Sequence, residues 1–355
     1  MTVRTMGRWI AAALLLAAVA WTTGIFGLDS AMAQTAYPSS PNAGTGQPIS
    51  SQITLQNPVT PVAAAINNFY HMVNYIIIAI AAFVLVLMLY VMFRYSERAN
   101  PNPSRTTHNT LLEVVWTVLP ILVLVVIAIP SFRLLFFQYS YPKPDLTIKA
   151  VGNAWFWEHE YPDEKIKVTS NMIRDEDVVK ADLGEAEYNK KFASMPELAR
   201  LKAVHEAAMP IWTGVKPAKE QFGSARLVRQ LSVDNEIAVP VNKTVHLLVT
   251  SNDVIHSWTI PSFGSKVQAV PGRITATWFR PEKTGVYYGQ CSVLCGKDHS
   301  SMPIAIRVVS DQAYAEWLAA AKARDWKKAR GILHAATADS EPRSVAELPT
   351  VGGGE

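Results

Sequence analysis

Two stretches of the chain, Tyr75 to Phe93 and Val114 to Phe132, are continuously apolar and free of charge. Each is about as long as the ~20 residues that carry a helix across a bilayer, so the pattern predicts a two-helix transmembrane hairpin over 62–140. Pro120 and Pro130 fall inside the second stretch and are tolerated where neighbouring helices re-satisfy the freed backbone. A third apolar run, Ile10 to Trp21, is shorter. It follows Arg4 and Arg8 and precedes Ala31-Met32-Ala33. That order predicts a secretory signal peptide over 1–33, with a third membrane helix as the alternative. Residues 34–61, rich in Pro, Ser, Gly, Thr and Gln, predict an extended periplasmic lead-in.

After Pro142 and Pro144 the pattern changes to short β-type runs: Leu146 to Val151, Leu227 to Val233, Thr244 to Thr250, Ile274 to Phe279, Val286 to Tyr288 and Ile304 to Val309. Turn residues such as Pro240, Asn252-Asp253, Pro271-Gly272 and Gly285 separate them. Many short strands of this kind predict an all-β sandwich or barrel over 141–310. The stretch 175–223 is rich in Ala, Glu and Lys and is helix-favouring at Pro196 to Ala208, so it reads as a partly helical insertion. Over 311–355, Gln312 to Leu333 predicts a C-terminal helix and the remainder a disordered tail.

The composition, 49% hydrophobic and 17% charged over 355 residues, is apolar for a wholly soluble protein. The formal charge of +4 matters less than its distribution. Arg94, Arg98 and Arg105 lie between the two predicted spans, and the positive-inside rule puts that loop in the cytoplasm. Both ends of the mature chain then face the periplasm, from a bacterial inner membrane. No basic run interleaves with aromatics, which excludes a nucleic-acid partner.

Cys291 and Cys295 are the only cysteines, and in an oxidising compartment a pair reads first as a disulfide. That bond would close a very short loop, with little entropy to gain, and would leave His299 and Met302 unexplained. Zinc would accept two Cys and two His but has no use for Met302. Two thiolates, an imidazole and a thioether within Cys291-Ser292-Val293-Leu294-Cys295-Gly296-Lys297-Asp298-His299-Ser300-Ser301-Met302 select copper over hard cations. His256 in His256-Ser257-Trp258 is the natural distant imidazole, and a second thiolate allows two bridged metal ions. His246 fits a satisfied barrel residue. No Cys-x-x-Cys-His occurs, which excludes an attached c-type haem.

The Cys-x3-Cys-x3-His-x2-Met loop, the upstream His-Ser-Trp and the two apolar helices resemble subunit II of the haem–copper cytochrome c oxidases. The resemblance implies a cupredoxin-like Greek-key barrel holding a dinuclear copper centre, CuA. Cys291 and Cys295 would bridge the metals, with His256 and Met302 on one copper and His299 and the Val293 carbonyl on the other. It implies Trp155 as the electron entry point, Glu160, Asp163, Asp234 and Asp253 as docking acids for cytochrome c, and Glu113 at the entrance of a proton channel. It implies oxidase subunits I and III as partners, with electrons passing to haem in subunit I for reduction of oxygen to water coupled to proton pumping. The sequence departs from the family at Val293, where most members carry Glu. A backbone carbonyl survives that change and a carboxylate does not, which puts the family's magnesium contact at the subunit I interface in doubt. A copper-delivery protein and a nitrous oxide reductase are the competing readings. The first would expose labile ligands and the second would carry a propeller domain.

Overall fold

The computed structural model describes residues 46–48, 52–219, 222 and 227–337. The predicted signal over 1–33 and the tail beyond Thr337 lie outside the described residues. Among these residues the chain forms two units: one holds 68–131, and the other holds the described part of 41–67 together with 132–337.

Two long helices supply the first unit, α1 (Pro61–Arg94) and α2 (Thr110–Gln138). Thr60 opens α1, its hydroxyl accepting from the Ala63 amide at 3.0 Å, with Pro61 following where a missing N–H does no harm. Asn109 caps α2, accepting from the Leu112 amide at 3.2 Å. Pro120 and Pro130 lie inside α2, no residue of which is buried. Most Ile, Leu, Val and Phe side chains from Ile77 to Phe93 and from Leu111 to Phe136 are exposed. Helices apolar on every side require a non-aqueous surround. Glu113 stands in the first turn of α2.

The second unit contains ten strands: β1 (Leu146–Asn153), β2 (Phe156–Tyr161), β3 (Ile166–Ser170), β4 (Ile237–Pro240), β5 (Val245–Ser251), β6 (His256–Ile260), β7 (Ser265–Ala269), β8 (Thr275–Phe279), β9 (Gly285–Gln290) and β10 (Pro303–Val309). They form a five-stranded sheet in the order β3-β2-β1-β5-β8, a three-stranded sheet β4-β10-β9, and the β6-β7 hairpin. β1 and β5 run parallel, Leu146 opposite Val245 through Gly152 opposite Ser251. A parallel pair needs a long crossover, and the insertion lies within it. Strict alternation in β5 sends Val245, Leu247 and Val249 inward. One core draws on both larger sheets and the hairpin, with Ile148, Trp157, Trp258, Phe279, Tyr287 and Ile306 buried together.

The segment before α1 belongs to this unit. The Gly46 amide donates to the Val286 carbonyl at 2.8 Å, the Val59 amide to Ser262 at 3.0 Å, and the Glu282 amide to Val59 at 2.8 Å. The insertion folds as α3 (Asp175–Leu183), α4 (Glu185–Phe192) and α5 (Glu197–Trp212). These helices have their own small core around Val178, Tyr188, Phe192, Val204 and Ile211.

Two expectations change. Leu227 to Val233 is a turn, not a strand. Gln230 takes a left-handed φ of 65°, and the Leu231 and Ser232 amides both donate to the Val228 carbonyl. Only Val233 pairs, as a bridge to Met172. The predicted C-terminal helix is two, α6 (Asp311–Lys322) and α7 (Trp326–Ala336). Arg324 breaks them with a φ of 58°, and the Asp325 carboxylate starts α7 by accepting from the Lys328 amide.

Candidate metal centre

The loop 291–302 is gathered by the ends of the strands that flank it. Gln290 of β9 pairs with Pro303 of β10, and the Cys291 amide donates to the Met302 carbonyl at 3.4 Å, so the first and last loop ligands are neighbours. His256 opens β6, and the Ser292 amide donates to the Ser257 carbonyl at 3.3 Å, which brings the distant imidazole to the loop. Gly289 permits this approach, because a Cβ there would lie 1.8 Å from the Thr259 carbonyl oxygen.

The candidate ligands converge. Cys291 Sγ lies 3.9 Å from His256 Nδ1, 3.9 Å from Cys295 Sγ and 3.3 Å from the Val293 carbonyl oxygen. Cys295 Sγ lies 3.5 Å from His299 Nδ1 and 3.5 Å from Met302 Sδ. The cysteines are free; their separation is about twice a disulfide bond length. His256, Cys291, Cys295 and Met302 are buried, and the donor atoms of the first three all lie within 4.8 Å of one another. Three sulfurs, two imidazole nitrogens and a carbonyl fit a soft metal, and the buried thioether favours copper over zinc.

Charge is shared unevenly in the thiol pair. Burial pushes Cys291 up, but hydrogen bonds from His256, the Ser257 and Val293 backbone and His299 outweigh it, and its pKa falls below the ordinary thiol value. Burial and the neighbouring Cys291 charge push Cys295 up. For His256, burial opposes protonation, while Cys291 and Asp253 outweigh it and raise the pKa. A pair of sulfurs in which one already carries charge is prepared to give up its remaining proton to a metal.

Of the other residues singled out in the sequence, Trp155 stands against the loop. Its indole N–H donates to the Cys295 carbonyl at 3.1 Å, and the Lys297 ammonium sits 5.6 Å from its ring centroid. The four acids do not form one free patch. Glu160 pairs with Lys149 at 3.0 Å, Asp234 accepts from the Asn171 and Asn235 amides, and Asp253 accepts from His256. Asp163 is exposed in the β2–β3 turn. Two contacts were not anticipated. Trp157 packs edge-on to His256 at 6.0 Å between centroids and donates to the Met302 carbonyl at 3.2 Å. Gly152 leaves the space His256 occupies, since a Cβ there would lie 2.8 Å from its Cδ2. A glycine inside a strand is the signal that marks such an approach.

The family described as "Cytochrome C oxidase subunit II, periplasmic domain" matches residues 146–218 and 216–309. Its transmembrane counterpart matches 48–134. The chain belongs to the cytochrome c oxidase subunit II family. Among relatives, a probable cytochrome c oxidase subunit 2 of Rickettsia felis is 40% identical over 79% of this chain and 75% of the relative. Cytochrome c oxidase subunit 2 of Cereibacter sphaeroides is 40% identical over 84% of this chain and 90% of its own. A solved structure, the periplasmic domain of subunit II of cytochrome oxidase (CoxB) of Bradyrhizobium japonicum, is 40% identical. It covers 52% of this chain and 97% of that one, with a TM-score of 0.36. As a subunit II, the chain has two apolar N-terminal helices in a membrane, a cupredoxin-like β domain on the periplasmic side, and C-terminal helices. Its His256, Cys291 and Cys295 form a cluster that fits copper.

Proposed function

We propose that this subunit II is the electron-input subunit of a haem–copper terminal oxidase, taking electrons from a c-type cytochrome and passing them to haem in subunit I. The observation that carries the proposal is the pair of unbonded cysteine sulfurs 3.9 Å apart. An imidazole faces each sulfur, and a thioether completes the set. The residues divide the work. Cys291 and Cys295 would bridge, while His256, His299, Met302 and the Val293 carbonyl would fill the outer positions. A bound copper pair supplies one-electron transfer with the change in charge spread over two metals.

The protein contributes rigidity and dryness. Buried ligands fixed at the ends of strands move little when an electron arrives, and the enclosing core keeps water from the sulfurs. Trp155, half-buried and bonded to the Cys295 backbone, is the proposed entry point. Val293 offers a carbonyl but no carboxylate, so a magnesium ion at the subunit I interface would lack that side-chain ligand from this chain. Glu113 in the first turn of α2 is the proposed contact with the proton path of subunit I.

Orientation follows the same reading. Gly46, Val59 and Thr60 hydrogen-bond to the β domain, so both lie on one side of the membrane, which two crossings satisfy. With Arg94, Arg98 and Arg105 between the helices, that side is the periplasmic face of the inner membrane. The test is to purify the full chain in detergent, load it with copper, count metal and record an EPR spectrum. Two coppers per chain with a seven-line hyperfine pattern are expected. One copper with four lines would overturn the dinuclear centre.

A further inference from the structure

The sequence suggests Asp253 as one of several surface acids, but its carboxylate is occupied on both oxygens. Oδ1 accepts from His256 Nε2 at 2.8 Å and from the Val254 amide at 2.6 Å. Oδ2 accepts from the Ala154 amide at 2.6 Å. The Ser251 hydroxyl lies 3.2 Å from Oδ1 and donates to the Val254 carbonyl at 2.5 Å, which closes the turn before β6. A carboxylate only accepts, so the imidazole presents N–H at Nε2 toward Asp253. Nδ1 is then the ring atom left to face Cys291 Sγ, 3.9 Å away. Which nitrogen of a histidine binds metal is set by the hydrogen bond that the other makes.

The second oxygen reaches the other side of the centre. Ala154 precedes Trp155, and Trp155 Nε1 donates to the carbonyl of Cys295 at 3.1 Å. A single carboxylate thus ties the imidazole on Cys291 to the tryptophan on Cys295. Side chain and backbone are coupled across 99 residues of sequence at Ala154.

We infer that Asp253 is a positioning residue of the metal centre, orienting His256 for metal through Nδ1 and holding the Trp155 turn against the Cys295 backbone. The inference deepens the copper reading and rests on it. An amide in its place has one acceptor oxygen and an NH2 group, so either the Ala154 amide or the His256 ring and Val254 amide would face another donor. A glutamate keeps the charge but moves it by one methylene.

The experiment uses the full chain in detergent and compares wild type, Asp253→Asn and Asp253→Glu. Copper affinity is measured by competition with a chelator, together with EPR spectra, reduction potentials and rates of reduction by cytochrome c. Circular dichroism checks the fold of each. Asp253→Asn is expected to weaken copper binding about tenfold or more, alter the hyperfine pattern and raise the potential, because a negative charge beside the metal is lost. Asp253→Glu is expected to recover part of the affinity while still shifting the spectrum, at unchanged charge. It also reads the geometry on its own should the amide variant not fold. Affinity, spectrum and potential all matching wild type, with only a salt-dependent fall in the cytochrome c rate, would overturn the inference and leave Asp253 a docking acid. A wild-type chain that bound one copper would instead sink the dinuclear reading, while a weaker affinity in the variants would still support the role of Asp253.

Discussion

His159 lies on β2 with its ring fully enclosed. Its Nε2 accepts from Trp258 Nε1 at 3.2 Å, and Nδ1 has no partner among the described residues. A charge there would have neither water nor a counter-ion, and burial lowers the pKa to about 3. The unfolded chain takes up a proton near pH 6.5, so between these values the unfolded state binds more protons than the folded one. Stability is therefore present above about pH 6.5 and is lost as pH falls toward 3, by up to ~4–5 kcal/mol. His159→Gln keeps an acceptor for Trp258 and has nothing to titrate. Melting curves from pH 7 to 4 should show wild type losing stability faster than the variant. Parallel curves would contradict the account.

The same scale explains which parts of the site were legible. Four side-chain ligands sit within one twelve-residue loop, so their types and spacing survive without knowledge of the fold. The sequence offers Asp253 and Glu160 as docking acids, and their partners within the chain are invisible in it because they depend on tertiary geometry. The β1–β2 register sets Lys149 opposite Glu160, and a closed turn sets His256 Nε2 against Asp253.

Among elements, the apolar helices, the alternating strand β5 and the largely apolar run of β10 could be read directly. β4 spans Ile237–Pro240, too short to carry a period. Leu227 to Val233 carries β-type residues but lacks the backbone, since Gln230 takes the left-handed region and the Ser232 hydroxyl accepts the Val228 amide at 2.8 Å. Side-chain pattern alone cannot see a competing turn of that kind. Packing between elements is where the site is most exposed to small changes. β1 passes so near β6 that Gly152→Val would push a branched side chain into His256. Copper affinity should fall about tenfold or more, while the far-UV circular dichroism of the metal-free chain stays near wild type. Unchanged affinity would mean that β1 and β6 can separate without disturbing the ligand.

On the scale of the β domain, α7 is bound to β10 by charge as well as by packing. Arg307 is 1% exposed. Its guanidinium meets the Glu236 carboxylate, the Thr337 hydroxyl and His334 Nδ1 at 3.1 Å. β10 begins directly after Met302, so this cluster steadies the strand that carries the last ligand. Glu236→Gln removes the balancing charge from a buried cation, a change that costs about 3 kcal/mol or more. The melting temperature should fall by about 6–12 °C, and a shift below 2 °C would show that the remaining partners suffice.

The short leg before α1 has a consequence for how the chain is made. Gly46 and Val59 leave the ribosome before either membrane helix, yet their partners Val286, Ser262 and Glu282 come more than two hundred residues later. Gly46, Val59 and Thr60 must wait without their partners while both helices and most of the β domain are synthesised. The β domain is therefore completed only once the chain through Val286 has been made and lies on the same side of the membrane as Gly46, Val59 and Thr60.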